Sequence, residues 1–196
     1  MPKIFRFSVD GEELFHYVLQ SEQCQGNAAT TNQRCKRKCI IGYEYCFSHM
    51  KSVKHLTIRQ SSIPNSGQGL FACDPTKGIN EIVFKRGAKI CDYNGIHLNQ
   101  RTLDEQYGDH TAPYGVEACK NHIIDSAGRR GIGSLANHKP RSQINADIKS
   151  NTNLHTVILR AIKPIRNNQE IFINYGRLYD LGEEGVEYST KAYYPR

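Results

Sequence analysis

The sequence has no long apolar run, and this absence excludes several classes of protein. No stretch of its 196 residues approaches the roughly 20 consecutive apolar residues that a membrane helix requires. The first residues, 1–7, lack the apolar core of a secretory signal, so we expect neither secretion by that route nor a membrane partner. The hydrophobic share of 38% and the charged share of 23% are typical of a globular chain rather than a disordered one.

Two nucleotide-binding signatures and one common fold class are also missing. The segment from Ser66 to Leu70 contains Gly67 and Gly69, but the third glycine and the following helix of the dinucleotide-binding pattern are absent. No Gly-Lys-Ser/Thr follows either, which excludes a P-loop. No long amphipathic helices alternate with the apolar segments, which argues against a doubly wound α/β fold.

The chain contains many short β segments instead, separated by glycine, proline, asparagine and aspartate. The predicted strands cover residues 56–58, 70–72, 82–84, 89–92, 122–124, 144–148, 156–161 and 171–174. Residues 100–106 are the best helical candidate in this region. Near the N-terminus, Asp10-Gly11 lies between two alternating apolar segments, which is a strong signal for a β-hairpin. The sequence therefore predicts a mainly β fold with few short helices and a small N-terminal hairpin.

The positive charge is concentrated in one segment. The whole chain has 26 Lys+Arg and 19 Asp+Glu, a net charge of +7. Residues 24–60 contain seven basic side chains and one acidic side chain, so the rest of the chain has a net charge of only +1. Such a local charge suggests an anionic partner, and we predict a nucleic-acid contact through residues 24–60. A solvated basic face is the alternative.

The same segment holds four of the seven cysteines and little aliphatic content. Cys24, Cys35, Cys46 and His49 are typical ligands of a tetrahedral structural Zn²⁺, with Cys39 as an alternative to Cys35. Bound zinc would supply the folding free energy that the segment lacks. Free thiols are the other interpretation, whereas the odd cysteine count and the absence of a signal peptide argue against a secreted disulfide framework. We therefore expect an intracellular, reducing location, in the nucleus or the cytoplasm.

Four spaced elements follow in the β region. They read Gly67-Gln68-Gly69-Leu70-Phe71-Ala72, Tyr93-Asn94-Gly95, Ser134-Leu135-Ala136-Asn137-His138 and Gln169-Glu170-Ile171-Phe172-Ile173-Asn174-Tyr175-Gly176. Each element alone suggests only a turn or a strand end. Together, and in this order, they resemble the SET-domain protein methyltransferases, whose pattern reads G-x-G-L-F-A, Y-x-G, N-H-S-x-x-P-N and G-E-E-[IL]-x-x-x-Y-G. The resemblance covers about residues 57–179.

This resemblance implies a fold, a reaction and a set of site residues. The implied fold is a set of small curved β-sheets with a pseudoknot, and the implied reaction transfers methyl from S-adenosylmethionine to a lysine ε-amine. Tyr175 corresponds to the active-site tyrosine of the family, and Tyr93, the second catalytic candidate, would line the lysine channel or the methionine part of the cofactor. The implied cofactor-binding residues are Gly67, Gln68, Gly69, Leu70, Ser134, Leu135, Asn137, His138 and Tyr175.

The sequence departs from the family pattern at several positions. Lys139 replaces the serine after Asn-His, a longer segment that ends at Asn145 replaces Pro-Asn, and Gln169 replaces the first glutamate. The C-terminal cysteine cluster of many relatives is also absent, so the tyrosine-rich residues 188–194 are the candidate roof over the cofactor. A role in packing alone is the alternative for these residues. A degenerate SET protein that acts as a zinc-dependent nucleic-acid or protein binding module is therefore the alternative function.

The predicted organisation has four parts. They are an N-terminal β-hairpin at 1–23, a basic zinc-binding segment at 24–56, a SET domain at 57–180 and a tyrosine-rich tail at 181–196. The expected partner is a protein substrate with a target lysine, for which a histone or a nucleosome is a candidate. The sequence leaves the oligomeric state open, including a homodimer.

Overall fold

A computed structural model describes residues 3–19, 21–39, 43–110 and 112–176. The predicted tail at 181–196, including the candidate roof at 188–194, lies outside the described residues. The described residues form two α-helices, α1 (Phe47–Lys54) and α2 (Gln100–Tyr107), and a 3-10 helix over Ile132–Leu135. The strands are β1 (Lys3–Val9), β2 (Glu12–Leu19), β3 (Leu56–Gln60), β4 (Gln68–Ala72), β5 (Ile82–Phe84), β6 (Lys89–Asp92), β7 (Ile96–Leu98), β8 (Gly115–Cys119), β9 (His122–Asp125), β10 (Asn137–His138), β11 (Ala146–Asn151), β12 (Thr156–Ala161), β13 (Ile165–Arg166) and β14 (Phe172–Ile173).

The predicted N-terminal hairpin is present. Strands β1 and β2 pair antiparallel, and the turn residues Asp10 and Gly11 both have positive φ, of 48° and 84°. Two positive φ values in a two-residue turn match the right-handed twist of the flanking strands. The inner face of the hairpin carries Phe5 and Phe7, which bury an aromatic cluster against Tyr107 at the end of α2.

In the part of the chain that the structure describes, the remaining strands form five small sheets around the main core. Two sheets have three strands, in the orders β11-β12-β6 and β7-β9-β8, and three are pairs, β3-β4, β13-β5 and β10-β14. Their inward-facing residues are mostly aliphatic, and Leu56, Leu70, Leu159, Ile165 and Ile171 are completely buried. Because no sheet is wide, every sheet has to bury one face against its neighbours, and the core lies where they meet.

The C-terminal strand lies between two segments that are far away in sequence. On one side, Ile171 N–H donates to Leu70 O at 2.8 Å and Ala72 N–H donates to Gln169 O at 2.9 Å. On the other side, β14 pairs parallel with β10, with Asn137 opposite Phe172. This arrangement brings three of the four sequence motifs to one place.

The predicted mainly β architecture with few short helices is confirmed, and several boundaries differ in detail. Strands β5, β6 and β12 match the predicted residues, and α2 ends one residue later than predicted. Helix α1 and strands β7, β8, β10 and β13 were not predicted. The predicted strand 144–148 begins only at Ala146, because the Asn145 side chain binds the backbone of the neighbouring strand. Neither helix of the described residues has the length and apolarity of a membrane span.

Candidate functional site

The four predicted metal ligands lie together in one cluster. The ligand atoms of Cys24, Cys35, Cys46 and His49 are all within 4.8 Å of one another. The Nδ1 atom of His49 is 3.3 Å from the Cys24 sulfur and 3.5 Å from the Cys46 sulfur. Cys46 is the N-cap residue of α1 and His49 lies in its first turn, so this helix sets the spacing of two ligands. Three thiolates and one imidazole at such distances suit a closed tetrahedral zinc site.

Groups around the cluster orient it further. The backbone N–H groups of Cys46 and Gly26 donate to the Cys24 sulfur at 3.2 Å and 3.4 Å. A side chain at Gly26 would overlap the His49 ring, so the close approach of this backbone requires glycine. Burial alone would raise the pKa of the Cys46 thiol, but hydrogen bonds from the backbone of His49 and from other nearby groups lower it to about 7. The Cys46 thiol is therefore readily available as a thiolate.

The structure distinguishes between the two alternative cysteines. Cys35 belongs to the cluster, whereas Cys39 does not, although both are buried. Burial raises the pKa of the Cys39 thiol to about 11, with a smaller contribution from the neighbouring Cys24. A buried thiol with this pKa packs as a small apolar side chain. Cys35 is the better candidate for the third sulfur ligand.

The predicted glycine turn lies beside a buried carboxylate that the sequence did not single out. Glu170 is 4% exposed and accepts hydrogen bonds from Ser61 Oγ at 2.7 Å and from the N–H and Oγ of Ser62 at 2.8 Å and 2.6 Å. The Asn137 side-chain amide donates to the same carboxylate at 3.2 Å. A side chain at Gly69 would overlap Glu170, so this position requires glycine. Burial acts to raise the pKa of Glu170, but these hydrogen bonds outweigh burial and lower it.

The residues of the glycine turn, Gly67 to Leu70, contribute to the candidate site in different ways. Gly67 has a φ of 67° in open space, so the turn is left-handed and accessible. Gln68 is exposed, and its carbonyl accepts a hydrogen bond from the Asn137 side chain at 3.2 Å. The Leu70 side chain is completely buried in the core, so only its backbone lies at the turn. The predicted cofactor turn and Asn137 are thus joined directly.

His138 and Tyr175 form the other half of the candidate site. The Tyr175 N–H donates to His138 Nδ1 at 3.0 Å, and the two ring centroids are 5.3 Å apart. Because Nδ1 accepts this bond, the neutral His138 ring carries its proton on Nε2. The Tyr175 hydroxyl donates to Ala136 O at 2.9 Å, and the side chain remains 38% exposed. The strand pair β10-β14 therefore holds the predicted tyrosine beside the Asn-His motif.

The other predicted residues lie deeper. Tyr93 is 5% exposed, and its hydroxyl donates to Tyr114 O at 2.9 Å. Burial raises the pKa of Tyr93, so the hydroxyl stays protonated at neutral pH. Ser134 Oγ donates to Gly131 O at 2.8 Å within the 3-10 helix, and Leu135 is half-buried against the main core. Ser134 and Leu135 shape the segment that leads to Asn137.

Sequence reasoning missed Asn145 as a link between the motifs. Its side-chain amide donates to Glu170 O at 2.8 Å, and its side-chain oxygen accepts from the Phe172 N–H at 2.9 Å. Asn145 is 5% exposed, so both bonds form away from bulk water. The available signal was an asparagine at the end of the segment that replaces Pro-Asn, since an asparagine can satisfy both groups of a neighbouring strand.

The donor set suits an adenosyl and amino-acid ligand. The accessible turn at Gly67, the Asn137 amide, the His138 imidazole and the Tyr175 hydroxyl come from separate motifs and lie on connected strands. Such a ligand presents an ammonium, a carboxylate and adenine nitrogens, which pair with backbone and side-chain groups of this kind. The residues present therefore fit S-adenosylmethionine, and those of the cysteine cluster fit zinc.

Comparisons with known proteins agree with this geometry. The model of the SET domain family matches residues 5–176. The chain is similar to a chain of the polycomb repressive complex 2 of Chaetomium thermophilum, with a TM-score of 0.50, 20% identity, 76% of this chain covered and 17% of that chain covered. An active polycomb repressive complex 2 in its basal state gives a TM-score of 0.50 at 19% identity, with 76% and 18% covered. At such identities the likeness supports a shared fold.

A further structural match is the Neurospora SET domain protein DIM-5, a histone lysine methyltransferase, with a TM-score of 0.49 and 18% identity. It covers 62% of this chain and 52% of that chain. The chain thus spans about half of this protein and less than a fifth of the polycomb chains. A comparison with curated proteins gave no match.

Proposed function

This chain belongs to the SET-domain family, whose model matches residues 5–176, and on that premise we propose that it is a protein-lysine N-methyltransferase. The observation that carries the proposal is the contact between Tyr175 and His138 beside the Gly67–Gly69 turn and Asn137. S-adenosylmethionine, when bound, supplies an activated methyl group at this place. Gly67, Gln68, Gly69, Asn137 and His138 would hold it.

The protein's own residues would orient and desolvate the lysine. A free lysine amine has a pKa of about 10.4, so the site must favour the neutral amine that can act as a nucleophile. A channel with a low dielectric constant lowers this pKa, and the buried Tyr93 ring is available to form such a wall. The Tyr175 hydroxyl would aim the amine, so most of the rate acceleration would come from orientation and electrostatic preorganisation.

The departures from the family pattern leave the contacts of the candidate site in place, which supports an enzyme rather than a degenerate protein. Lys139 keeps the backbone bond to Ile173 O at 2.9 Å, and its ammonium lies 5.4 Å from the centre of the Phe172 ring. The lengthened loop still ends at Asn145, which holds the strand before Tyr175. Neither change displaces the Tyr175–His138 contact.

The decisive experiment compares the native chain with Tyr175→Phe, using labelled S-adenosylmethionine with histones, nucleosomes and a cell extract. We expect Tyr175→Phe to keep the fold and cofactor binding but to lose at least about 100-fold in transfer rate, as when one preorganised donor is removed. Tyr17→Phe is the matched control, because its hydroxyl bonds Gln106 in the hairpin region. Undiminished transfer by Tyr175→Phe would contradict the assignment.

Calorimetric titration with S-adenosylmethionine separates the two candidate functions. Measurable binding of S-adenosylmethionine would support the methyltransferase. A folded chain that does not bind the cofactor would favour the alternative, a zinc-dependent binding module built around the cysteine cluster.

We also propose that the zinc-binding segment docks on an anionic surface such as nucleosomal DNA. Its basic side chains differ in whether they bind the local backbone or face solvent. Arg34 donates to the carbonyls of Gln23 and Cys24, so it supports the local fold. Lys36, Lys38 and Lys51 are exposed and remain suitable for phosphate contacts. A reducing compartment belongs to the same proposal, because thiolate ligands must stay unoxidised.

A further inference from the structure

Three histidines from three separate elements lie close together, and none of them belongs to the candidate active site. His97 lies on β7, His122 begins β9, and His155 lies in the turn between β11 and β12. The Nδ1 atom of His97 is 2.8 Å from the Nε2 atom of His122. The His122 and His155 ring centroids are 4.7 Å apart. Neither the proposed reaction nor the cysteine cluster uses these side chains.

Two imidazole nitrogens that face each other at 2.8 Å have two ways to coexist. They can share one proton in a hydrogen bond, or both lone pairs can bind one cation. Neutral imidazole is a preferred ligand of Zn²⁺, Cu²⁺ and Ni²⁺.

An unusual backbone conformation places the third ring, that of His155. His155 has a φ of 51°, which is uncommon for a residue other than glycine. The preceding turn supports this conformation, since the Asn151 side chain accepts the N–H groups of Asn153 and Leu154 at 3.2 Å each. The turn therefore holds the His155 ring next to His122 at a cost in backbone strain.

We propose that His97, His122 and His155 form a second metal site, which binds one divalent first-row cation such as zinc. Among the described residues, only the cysteine cluster already has three or more candidate ligand atoms within 4.8 Å of one another. The His155 ring must therefore turn toward the other two when the ion binds. His97 and His155 are exposed, so water can complete the coordination.

A cation at this corner would connect two sheets. His97 and His122 belong to the β7-β9-β8 sheet, and His155 belongs to the β11-β12 hairpin. One direct bond already joins these sheets, from Ser150 Oγ to Glu117 O at 3.0 Å. Metal binding would add a second link and stabilise the folded chain, by an amount that grows with the logarithm of the free metal concentration above the dissociation constant.

The test uses the full chain with the cysteine cluster already loaded with one equivalent of Zn²⁺. Ni²⁺ is then titrated by calorimetry, because nickel favours imidazole ligands over a tetrahedral thiolate site. We expect one further equivalent to bind. In His122→Asn this binding should weaken at least about tenfold, since even outer partners of metal ligands contribute that much.

Two further variants keep the test sharp. His155→Asn retains a residue that tolerates positive φ, so it removes the third ring without straining the turn. It should also weaken nickel binding and raise the number of coordinated waters seen by Cu²⁺ spectroscopy. His16→Asn, an exposed histidine paired with Glu13, should change nothing. Absence of a second equivalent, or equal nickel affinity in the native chain and His122→Asn, would overturn the proposal.

Discussion

The buried carboxylate of Glu170 positions the residues of the candidate site, although the proposed reaction does not use it. Its oxygens accept bonds from Ser61, Ser62 and Asn137, and the absence of a side chain at Gly69 makes room for it. The carboxylate thus joins the glycine turn to the Asn-His motif. Because its partners are all donors, the ionised form is required.

Replacement of this carboxylate by an amide should therefore destabilise the fold. In Glu170→Gln, an amide NH₂ must face one of the donors, which we expect to cost about 1–3 kcal/mol of unfolding free energy. Urea unfolding at neutral pH measures the loss. Glu105→Gln, in an exposed ion pair with Arg101, is the matched control and should have little effect.

The same pair of variants predicts a pH dependence. The folded-state pKa of Glu170 is lowered from its ordinary value of 4.5, so its contribution to stability is present above that pH. It is lost as the pH falls from 4.5 toward the folded-state pKa. The unfolding free energy of the native chain should therefore fall more than that of Glu170→Gln as the pH is lowered from 4.5. Parallel pH profiles of the two chains would contradict the role of the carboxylate.

At the scale of elements, the segment between β2 and β3 depends on the cysteine cluster. Apart from helix α1, its described residues form only isolated bridges, from Gln23 to Lys38 and from Asn27 to Arg34. A segment without a regular sheet, whose buried cluster consists of cysteines, needs another source of folding free energy, which bound zinc would supply.

The two neighbouring cysteines allow a sharp test of this dependence. We expect Cys35→Ser to lose the zinc equivalent and to make the segment sensitive to protease, because a thiolate ligand is removed. Cys39→Ser is the matched control and should keep one zinc per chain. Metal content by mass spectrometry and limited proteolysis measure both effects. Loss of zinc in Cys39→Ser alone would reverse the ligand assignment.

The pairing of β10 with β14 is the other element on which the site depends. Only two residue pairs form it, and the hydrogen bonds of the Asn145 side chain with the backbone of Glu170 and Phe172 help to hold β14 in place. Asn145→Ala leaves a buried carbonyl and a buried N–H without this partner, which we expect to cost about 1–3 kcal/mol. Thermal unfolding should show the loss, and cofactor binding should weaken with it.

Asn151→Ala is the control for that change. Its side chain also accepts two backbone N–H groups, but in an exposed turn where water can replace it. A similar loss of stability in both variants would show that Asn145 has no special role in the strand pair.

At the scale of the whole molecule, the charge of +7 belongs almost entirely to one segment. If this segment docks on DNA, nucleosome affinity should fall steeply with salt. Each phosphate contact contributes a slope of about −0.9 in log K against log salt, so Lys36→Gln with Lys38→Gln should reduce the slope by about 2. Lys85→Gln with Arg86→Gln changes the charge equally outside the segment and should leave the slope unchanged.

Local patterns were enough to predict much of this fold. Asp10-Gly11 predicted the hairpin, because two positive φ values are a property of the dipeptide itself. Periodicity located α2 and the strands β5, β6 and β12. Helix α1 was missed because Met50 is its one buried residue, so no apolar periodicity marks it, and β7, β8, β10 and β13 were missed because each is short. The predicted domain boundaries and the site roles stay predictions.

The sequence by itself determined which residue types are available and their order: the cysteine and histidine ligands, the glycine turn, the Asn-His pair and the final tyrosine. These follow from spacing and from the conformational range of single residues. Only the tertiary structure decided that Cys35 rather than Cys39 joins the cluster, that Glu170 and Asn145 link the motifs, and that three histidines meet. The reason is physical. These contacts join residues up to 109 positions apart, as between Ser61 and Glu170. A local sequence pattern does not contain the information about which distant residues the folded chain brings together.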